Sequence, residues 1–522
     1  MDNDPSGSMV LGSRAGRIFR RFTTIPARKS PSGFHCLLSV ALLGLIATGC
    51  TVGPEYHRPP VQTGQVAPAP FVDAPGTNQN EVVWKIAAPA ADQPRGEWWK
   101  LFQDEQLNAL ETLATTNNQN LAAAAARFEQ ARYEASAARA AYYPTLTAGG
   151  TPNGDFQRTR TSTDAPESGH ATGSSYTYNT FTAPLYLGWE PDLWGRVRNQ
   201  STAANAQFAA AGDDLASARL DLAAETAADY FTLRALDDQH TVLVDTIATY
   251  RQSLVLVQNR RKGGVVTDLD VAQAATQLHA AEALLPVVDL QRAQLQDALA
   301  LLCGVPPMNF ALATNAFVPA EFPLVPASLP GDLIEHRPDI AAAERRMAAA
   351  NANVGVAKSA FFPTVKINGL AGFQSVDASS WFDWPNRFWS VGPSVSLPLF
   401  TGGLNRANLA VAHAAYDETV ANYRQTVLNA FTEVQDALYA EHLLADQWTA
   451  ENAALQSSQQ ALTIANNRYH YGLDIYLDVA TAQNDTLNHE SAIALLSGER
   501  LVATINLVKA LGSGWEPADN TK

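Results

Sequence analysis

Sulfur is scarce in this 522-residue chain, which has three cysteines and four methionines. Three cysteines at these spacings imply no disulfide framework and no metal-binding pattern. Cys36 and Cys50 sit near the N-terminus. Cys303 ends the apolar run Leu299–Cys303 with no basic neighbour to lower its pKa, so it reads as a buried, inert thiol. Two of the four methionines, Met1 and Met9, precede Cys50, so a methionine relay for copper has no support. Positive charge is also short: 36 Lys and Arg stand against 51 Asp and Glu, a formal net charge of −15. No basic cluster follows Cys50, and such a surface is a poor ligand for nucleic acid. Long apolar runs are missing after Cys50 as well, so no transmembrane helix is expected and a membrane crossing has to use strands. Nucleophile–base sets, phosphate-binding glycine loops and metal clusters are not found, and the ten histidines are scattered singly. The expectation is a protein that is not an enzyme, with no cofactor and no metal.

What is present begins with an address. Arg14, Arg17, Arg20, Arg21, Arg28 and Lys29 precede an apolar stretch from Cys36 to Cys50. A basic segment followed by a short apolar one reads as a secretory signal. Its late start leaves Met9 as an alternative first residue, and Arg20-Arg21 faintly suggests a twin-arginine signal. The ending Ala47-Thr48-Gly49-Cys50 resembles a lipobox, which would make Cys50 the lipidated first residue of the mature chain. Thr51 follows in place of the aspartate that retains lipoproteins in the inner membrane, so sorting to the outer membrane is expected. The competing reading is an ordinary signal with a chance cysteine.

The chain then repeats itself. Ala141-Tyr-Tyr-Pro-Thr145 matches Ala360-Phe-Phe-Pro-Thr364, and Asp238-Gln239 matches Asp446-Gln447. Gly264 followed by Leu269-Asp-Val-Ala272 matches Gly472 followed by Leu477-Asp-Val-Ala480, and Gly304 matches Gly512. A constant offset aligns these pairs from Gly195 onward, which argues for duplication. Each half reads as an alanine-rich helix, a strand region, a very long helix, a glycine turn and a return helix. In the strand regions Phe181, Ala183, Leu185, Leu187 and Trp189 alternate with small or polar residues. Val365, Ile367, Ala371 and Phe373 do the same, as do Trp389, Val391, Val395 and Leu397. Period two with an apolar face fits the wall of a transmembrane β-barrel or a half-buried soluble sheet. Two hairpins, about four strands, cannot enclose a channel, so oligomerisation would supply the rest and three copies would give about twelve. From Gly195 to Lys262 there is no proline, and Leu215, Leu222, Leu236, Leu243, Tyr250 and Val257 recur at heptad spacing with Asp229 as the exception. That seam suits a coiled coil about 100 Å long. Pro286 is expected to kink the first return helix or break its ladder locally.

Five segments together resemble the TolC-like outer-membrane factors, specifically the lipoprotein branch of resistance–nodulation–division efflux systems. They are Cys50–Tyr56, Trp98-Trp99, Asp192-Leu-Trp-Gly-Arg-Val-Arg198, Leu333-Ile-Glu-His-Arg-Pro-Asp-Ile340 with Ala343-Glu344-Arg345, and Gly472–Ala480. The resemblance implies an α+β fold with four strands per protomer, a homotrimer with a twelve-stranded barrel in the outer membrane, and a periplasmic α-barrel. Its partners would be outer-membrane lipid, a periplasmic adaptor (membrane fusion) protein and an inner-membrane pump of the resistance–nodulation–division class. The organisation it implies is a signal at 1–49, a lipidated extended segment at 50–97, repeats at 98–304 and 336–512 joined by an equatorial linker at 305–335, and a tail at 513–522. In the family, acidic residues after the tip turn ring a closed aperture. Asp478 matches that position, Asp268 and Asp270 are the first-half counterparts, and Asp474 stands where some relatives carry a base. A second acid found three residues on in many relatives is Thr481 here. The competing role for these acids is helix capping or first-turn placement. Gly264 and Gly472 would contact the adaptor, or simply supply the positive φ that a tight turn needs. A type I protein-secretion duct and a lipid-anchored periplasmic coiled-coil scaffold are the alternative functions.

Overall fold

The computed structural model describes residues 51–58, 96–149, 157–161, 174–178, 180–313 and 337–512. The signal, Cys50, most of the 305–335 linker and the 513–522 tail lie outside the described residues.

Two helices open the first half: α1 (Glu105–Asn117) and α2 (Gln119–Ala140). Asp104 caps α1 by accepting from the backbone N–H groups of Gln106 (2.8 Å) and Leu107 (3.0 Å). Asn118 caps α2 through Leu121 N–H and also donates to the carbonyl of Leu302, tying α2 to a distant helix end. Strands β1 (Thr145–Ala148), β2 (Gln157–Thr161), β3 (Ser174–Tyr178) and β4 (Phe181–Trp189) follow. Next come α3 (Arg196–Lys262) and α4 (Asp268–Leu302). The second half contains α5 (Pro338–Ser359), β5 (Thr364–Ser375), β6 (Arg387–Ser396), α6 (Leu404–His470) and α7 (Tyr476–Ala510).

The duplication is structural to the residue. Both α3 and α6 have 67 residues, and both α4 and α7 have 35. At 1.5 Å per residue each long helix spans about 100 Å. Every heptad position read from α3 is buried: Leu215, Leu222, Leu236, Leu243, Tyr250 and Val257. Asp229, which interrupts that seam, is half-buried, and burial with help from Glu225 pushes its carboxyl up to about 6. Helix α3 packs against α2, α4, α5 and α7, while α6 packs against α5 and α7.

The expectation for Pro286 holds, and the one on apolar helices needs correction. Helix α4 continues through Pro286, whose missing N–H breaks the hydrogen-bond ladder locally, as expected, without ending the helix. The ring faces solvent, so the missing N–H leaves a carbonyl that water can satisfy. Helix α7 is long and apolar enough to pass as a membrane span, contrary to the expectation that no such segment exists. Half of that stretch is buried against the fold, because a helix packed against α3, α4 and α6 needs apolar residues around most of its circumference. The four-stranded sheet matches the expected four strands, and β2 and β3 form a separate two-stranded pair beside it.

Candidate functional site

The four-stranded sheet has the order β1-β4-β5-β6, antiparallel throughout. Its central ladder therefore joins the two halves of the chain. Register places Leu187 opposite Gly369, which faces Val391, and Leu185 opposite Ala148 and Ala371, the latter facing Trp389. Residues directly opposite share a face, so Leu146, Leu185, Leu187, Trp389, Val391 and Val395 form one continuous apolar surface, and all of them are exposed. The reverse face carries Thr145, Thr147, Thr182, Lys366, Asn368 and Ser394. An exposed apolar face backed by a polar one is the pattern of a lipid-facing barrel wall with a wet interior. Among the described residues, strands β1 and β6 each have one unpaired edge.

Where sheet meets helices, the Asp192–Arg198 motif acts as a hub. Asp192 accepts from Val197 N–H (3.1 Å) and Arg198 N–H (2.8 Å), which starts α3. Trp194 stacks on Phe362, with ring centres 5.1 Å apart, and donates its indole N–H to the Pro363 carbonyl. The aromatic–proline motif of the second half is thus clamped by the first. Gly195, at φ 77°, faces Thr51 so closely that an added Cβ would lie 2.8 Å from the threonine methyl. Val52 N–H donates to the Trp194 carbonyl. Farther along, Tyr56 and Arg58 bind Glu344, and Arg58 also reaches the Tyr423 hydroxyl. Residues 51–58 are therefore strapped from the sheet–helix junction down along the helices.

Buried polar groups gather around α1. Tyr230 donates to Asp104 at 2.6 Å. Asp237 is held between Arg234 (2.5 Å) and Arg292 (2.6 Å), with both Arg234 and Asp237 only 1% exposed. Arg337 plays a similar part in the second half, binding Asp339, Glu433 and the Ala510 carbonyl. Glu111 is completely buried, and among the described residues neither carboxylate oxygen has a hydrogen-bond partner. Burial pushes its pKa up to about 9, and pushes the nearby Cys303 thiol up to about 11 with Glu111 adding to the effect. Cys303 is thus the inert thiol its sequence context suggested.

At the opposite end of the long helices, both turns close in the same way. Helix α3 ends with Gly264 N–H to Arg261 carbonyl (3.0 Å) and Val265 N–H to Arg260 carbonyl (2.9 Å). Helix α6 ends with Gly472 N–H to Tyr469 carbonyl (3.0 Å) and Leu473 N–H to Arg468 carbonyl (2.9 Å). These are Schellman closures, which need a left-handed residue. Gly264 and Gly472 sit at φ 75° and 73°, and a Cβ at either would meet nothing within 4 Å, so backbone conformation alone selects glycine. The four acids are used differently. Asp268 accepts a bidentate pair from Arg261 at 2.7 and 2.8 Å, and Asp474 accepts one from Arg468 at 2.5 and 3.0 Å. Those guanidinium bonds hold both carboxyls below the usual range. Asp270 forms a capping box with Thr267. Asp478 lies exposed in the first turn of α7, and among the described residues its carboxylate accepts no hydrogen bond. Arg260, which sequence reasoning did not single out, bridges the halves: it donates to the Tyr469 and His470 carbonyls and lies 4.6 Å above the Tyr469 ring. Val265, Leu269, Leu473, Ile475 and Leu477 are exposed around this tip.

A protomer with one lipid-facing sheet, polar on its reverse face, and two long antiparallel helix hairpins belongs to the class of channels that line a membrane wall with strands and extend into an aqueous space with helices. The chain belongs to the outer membrane efflux protein family, whose description, "Outer membrane efflux protein", matches residues 110–305 and 329–513. It is 33% identical to outer membrane protein OprJ of Pseudomonas aeruginosa over 500 residues, covering 94% of this chain and 97% of OprJ. It is 32% identical to the toluene efflux pump outer membrane protein TtgI of Pseudomonas putida, covering 93% of this chain and all of TtgI. Among solved structures, the outer-membrane channel OprN superposes with a TM-score of 0.78 at 30% identity, covering 90% of this chain and 100% of that one. The protein is an outer-membrane efflux channel subunit that reaches into the periplasm.

Proposed function

We propose that three copies of this chain close into one passive duct, docked on a periplasmic adaptor protein and an inner-membrane pump of the resistance–nodulation–division class, and that it exports small toxic compounds or drugs. The observation that carries this reading is the sheet: four strands with an exposed apolar face and, among the described residues, two free edges. Four strands cannot close around a channel, whereas three sheets joined edge to edge give about twelve, a normal barrel size. The small toxic cargo follows the likeness to a toluene efflux protein. The lipid on Cys50 is part of the same reading. Thr51, its neighbour, packs on Gly195 at the sheet–helix junction, which is the level of the periplasmic surface of the outer membrane if the sheet spans the bilayer. The exposed apolar residues around Gly264 and Gly472 are the adaptor's contact.

The gate in this proposal is Asp478. Asp268, Asp270 and Asp474 are already neutralised or capped within their own protomer. Asp478 accepts no hydrogen bond among the described residues, although Arg468 is near enough to feel its charge, and a threefold axis would bring three copies together. Facing carboxylates repel one another and attract cations, giving a cation-selective constriction. Single-channel conductance of the purified protein in a planar bilayer, wild type beside Asp478→Ala, is the test. Small cation-selective openings that enlarge or lose selectivity in the variant are expected. A folded, inserted trimer with no channel activity refutes the duct, and equal conductance and selectivity in both proteins refutes the gate assignment.

A further inference from the structure

The far rim of the sheet carries a feature that conduction does not use. Strand β5 starts four residues after α5 ends, and β6 ends shortly before α6 begins. The 376–386 hairpin between them is therefore the end of the sheet most distant from the helices, the side facing the cell exterior. Two short 3-10 turns, Ala378–Ser380 and Trp384–Asn386, stiffen it. Asn386 donates to the Ser380 carbonyl at 2.7 Å, and the Ser375 and Ser380 hydroxyls are 2.9 Å apart. Trp381 packs on Phe181 and Phe382 packs on Phe373, both of which belong to the apolar face. Phe382 and Trp384 remain 66% and 69% exposed.

Arg387 stands at this rim. Register puts it opposite Phe373, which lies opposite Ala183, so it lies on the apolar face and is the one charged residue there among the described strands. Its guanidinium lies 4.4 Å above the Trp384 ring and donates one N–H to the Trp384 carbonyl at 2.8 Å. Among the described residues no carboxylate comes within ion-pair distance of it. A guanidinium has five N–H donors in a planar fork, so most of this fork is free and held in one orientation by the indole. Charge on the lipid side of a barrel wall is strongly disfavoured at the bilayer midplane and tolerated at the headgroup level. Indole rings also collect at that level. A fixed, unpaired guanidinium framed by exposed aromatics at headgroup depth has the chemistry to take a phosphate in bidentate fashion.

We propose that Arg387, oriented by Trp384, binds the phosphate headgroup of an outer-leaflet lipid and so fixes the barrel rim in the membrane. The inference rests on the outer-membrane placement of the sheet and is independent of the gate. The test uses the full-length protein in detergent, followed by native mass spectrometry. The probes are a phosphorylated glycolipid, its dephosphorylated analogue, and inorganic phosphate as competitor. The proposal expects the phosphorylated lipid to bind roughly tenfold more weakly to Arg387→Gln, the loss of one charge-assisted contact. Arg387→Lys, which keeps charge but not the fork, should fall between, and millimolar phosphate should not displace the lipid. Equal binding by wild type and Arg387→Gln, or equal binding of the dephosphorylated analogue, overturns the proposal. Displacement by inorganic phosphate reassigns the site to free anions and overturns it too. Loss of the oligomer in Arg387→Gln, visible in the same spectrum, makes a second copy the occupant and likewise overturns it. Lost lipid binding with conductance intact is the expected pattern. A protein that binds the lipid but does not conduct would sink the duct and leave this site standing.

Discussion

Replacing Glu111 with methionine isolates the cost of a single buried acid. The side chain is 0% exposed on α1, its two oxygens have no hydrogen-bond partner among the described residues, and burial raises its pKa from 4.5 to about 9. In the unfolded chain at neutral pH this group is ionised, so folding has to bind a proton. The folded pKa is the higher one. The stability associated with Glu111 is thus fully present below about pH 4.5, declines as pH rises, and has been lost once pH passes 9. At about 1.4 kcal/mol per pH unit, the cost is about 3 kcal/mol at pH 7 and about 6 kcal/mol at pH 9. Methionine fills a similar volume and does not titrate. Thermal unfolding of the detergent-solubilised protein, followed by circular dichroism at pH 5, 7 and 9, is the assay. Glu111→Met should melt higher than wild type at pH 7, and the gap should widen at pH 9. A variant that melts below wild type at pH 9, or a gap that does not change with pH, would refute the burial argument and indicate that the carboxylate has a partner in the assembled protein.

Two further expectations follow from the same packing. Gly304 and Gly472 share a positive φ, 65° and 73°, but a Cβ at Gly304 would lie 2.4 Å from the Asn117 carbonyl oxygen whereas one at Gly472 meets nothing. Alanine at Gly472 should therefore cost only the left-handed strain, about 1–2 kcal/mol, while alanine at Gly304 should cost clearly more; similar denaturation midpoints for the two variants would contradict this. Asp237→Ala leaves Arg234 and Arg292 facing each other without their shared carboxylate. A loss of about 3–5 kcal/mol is expected, and a chemical-unfolding change below about 1 kcal/mol would show that the arginines repair the gap by other contacts.

Much of this architecture was legible because it is periodic. The duplication fixed equal helix lengths in both halves, and the α3 heptads named the buried seam correctly from Leu215 to Val257. Period two at Phe181–Trp189 placed the residues that share the exposed apolar face. What escaped depends on contacts between distant residues. The β2–β3 pair has no apolar alternation in Gln157–Thr161 to announce it. Glu111 looks like an ordinary helix-surface acid until α1 is packed against its neighbours. Arg260 bridges to carbonyls more than two hundred residues away, and carbonyls leave no mark in a sequence. The pairing of Asp474 with Arg468 was within reach, since the two are six residues apart across a Schellman turn whose glycine was recognised. At the tip, the sequence could nominate four acids but could not say that three of them already have partners.

The central ladder of the sheet bears on the order in which this protein can be made. β4 pairs with β5, and the partners Phe181 and Ser375 are separated by the whole α3–α4 hairpin and α5. Closing a loop of roughly 190 residues is entropically slower than zipping adjacent helices, and pairings so remote in sequence are slow to form. The contacts within each helix hairpin, α3 with α4 and α6 with α7, are close in sequence and can form early, although α3 completes its packing only against α5 and α7. The membrane wall has to wait until both halves have been delivered across the inner membrane. An apolar sheet that cannot assemble early spends less time exposed in water, so the duplicated topology itself postpones the most aggregation-prone surface to the last step.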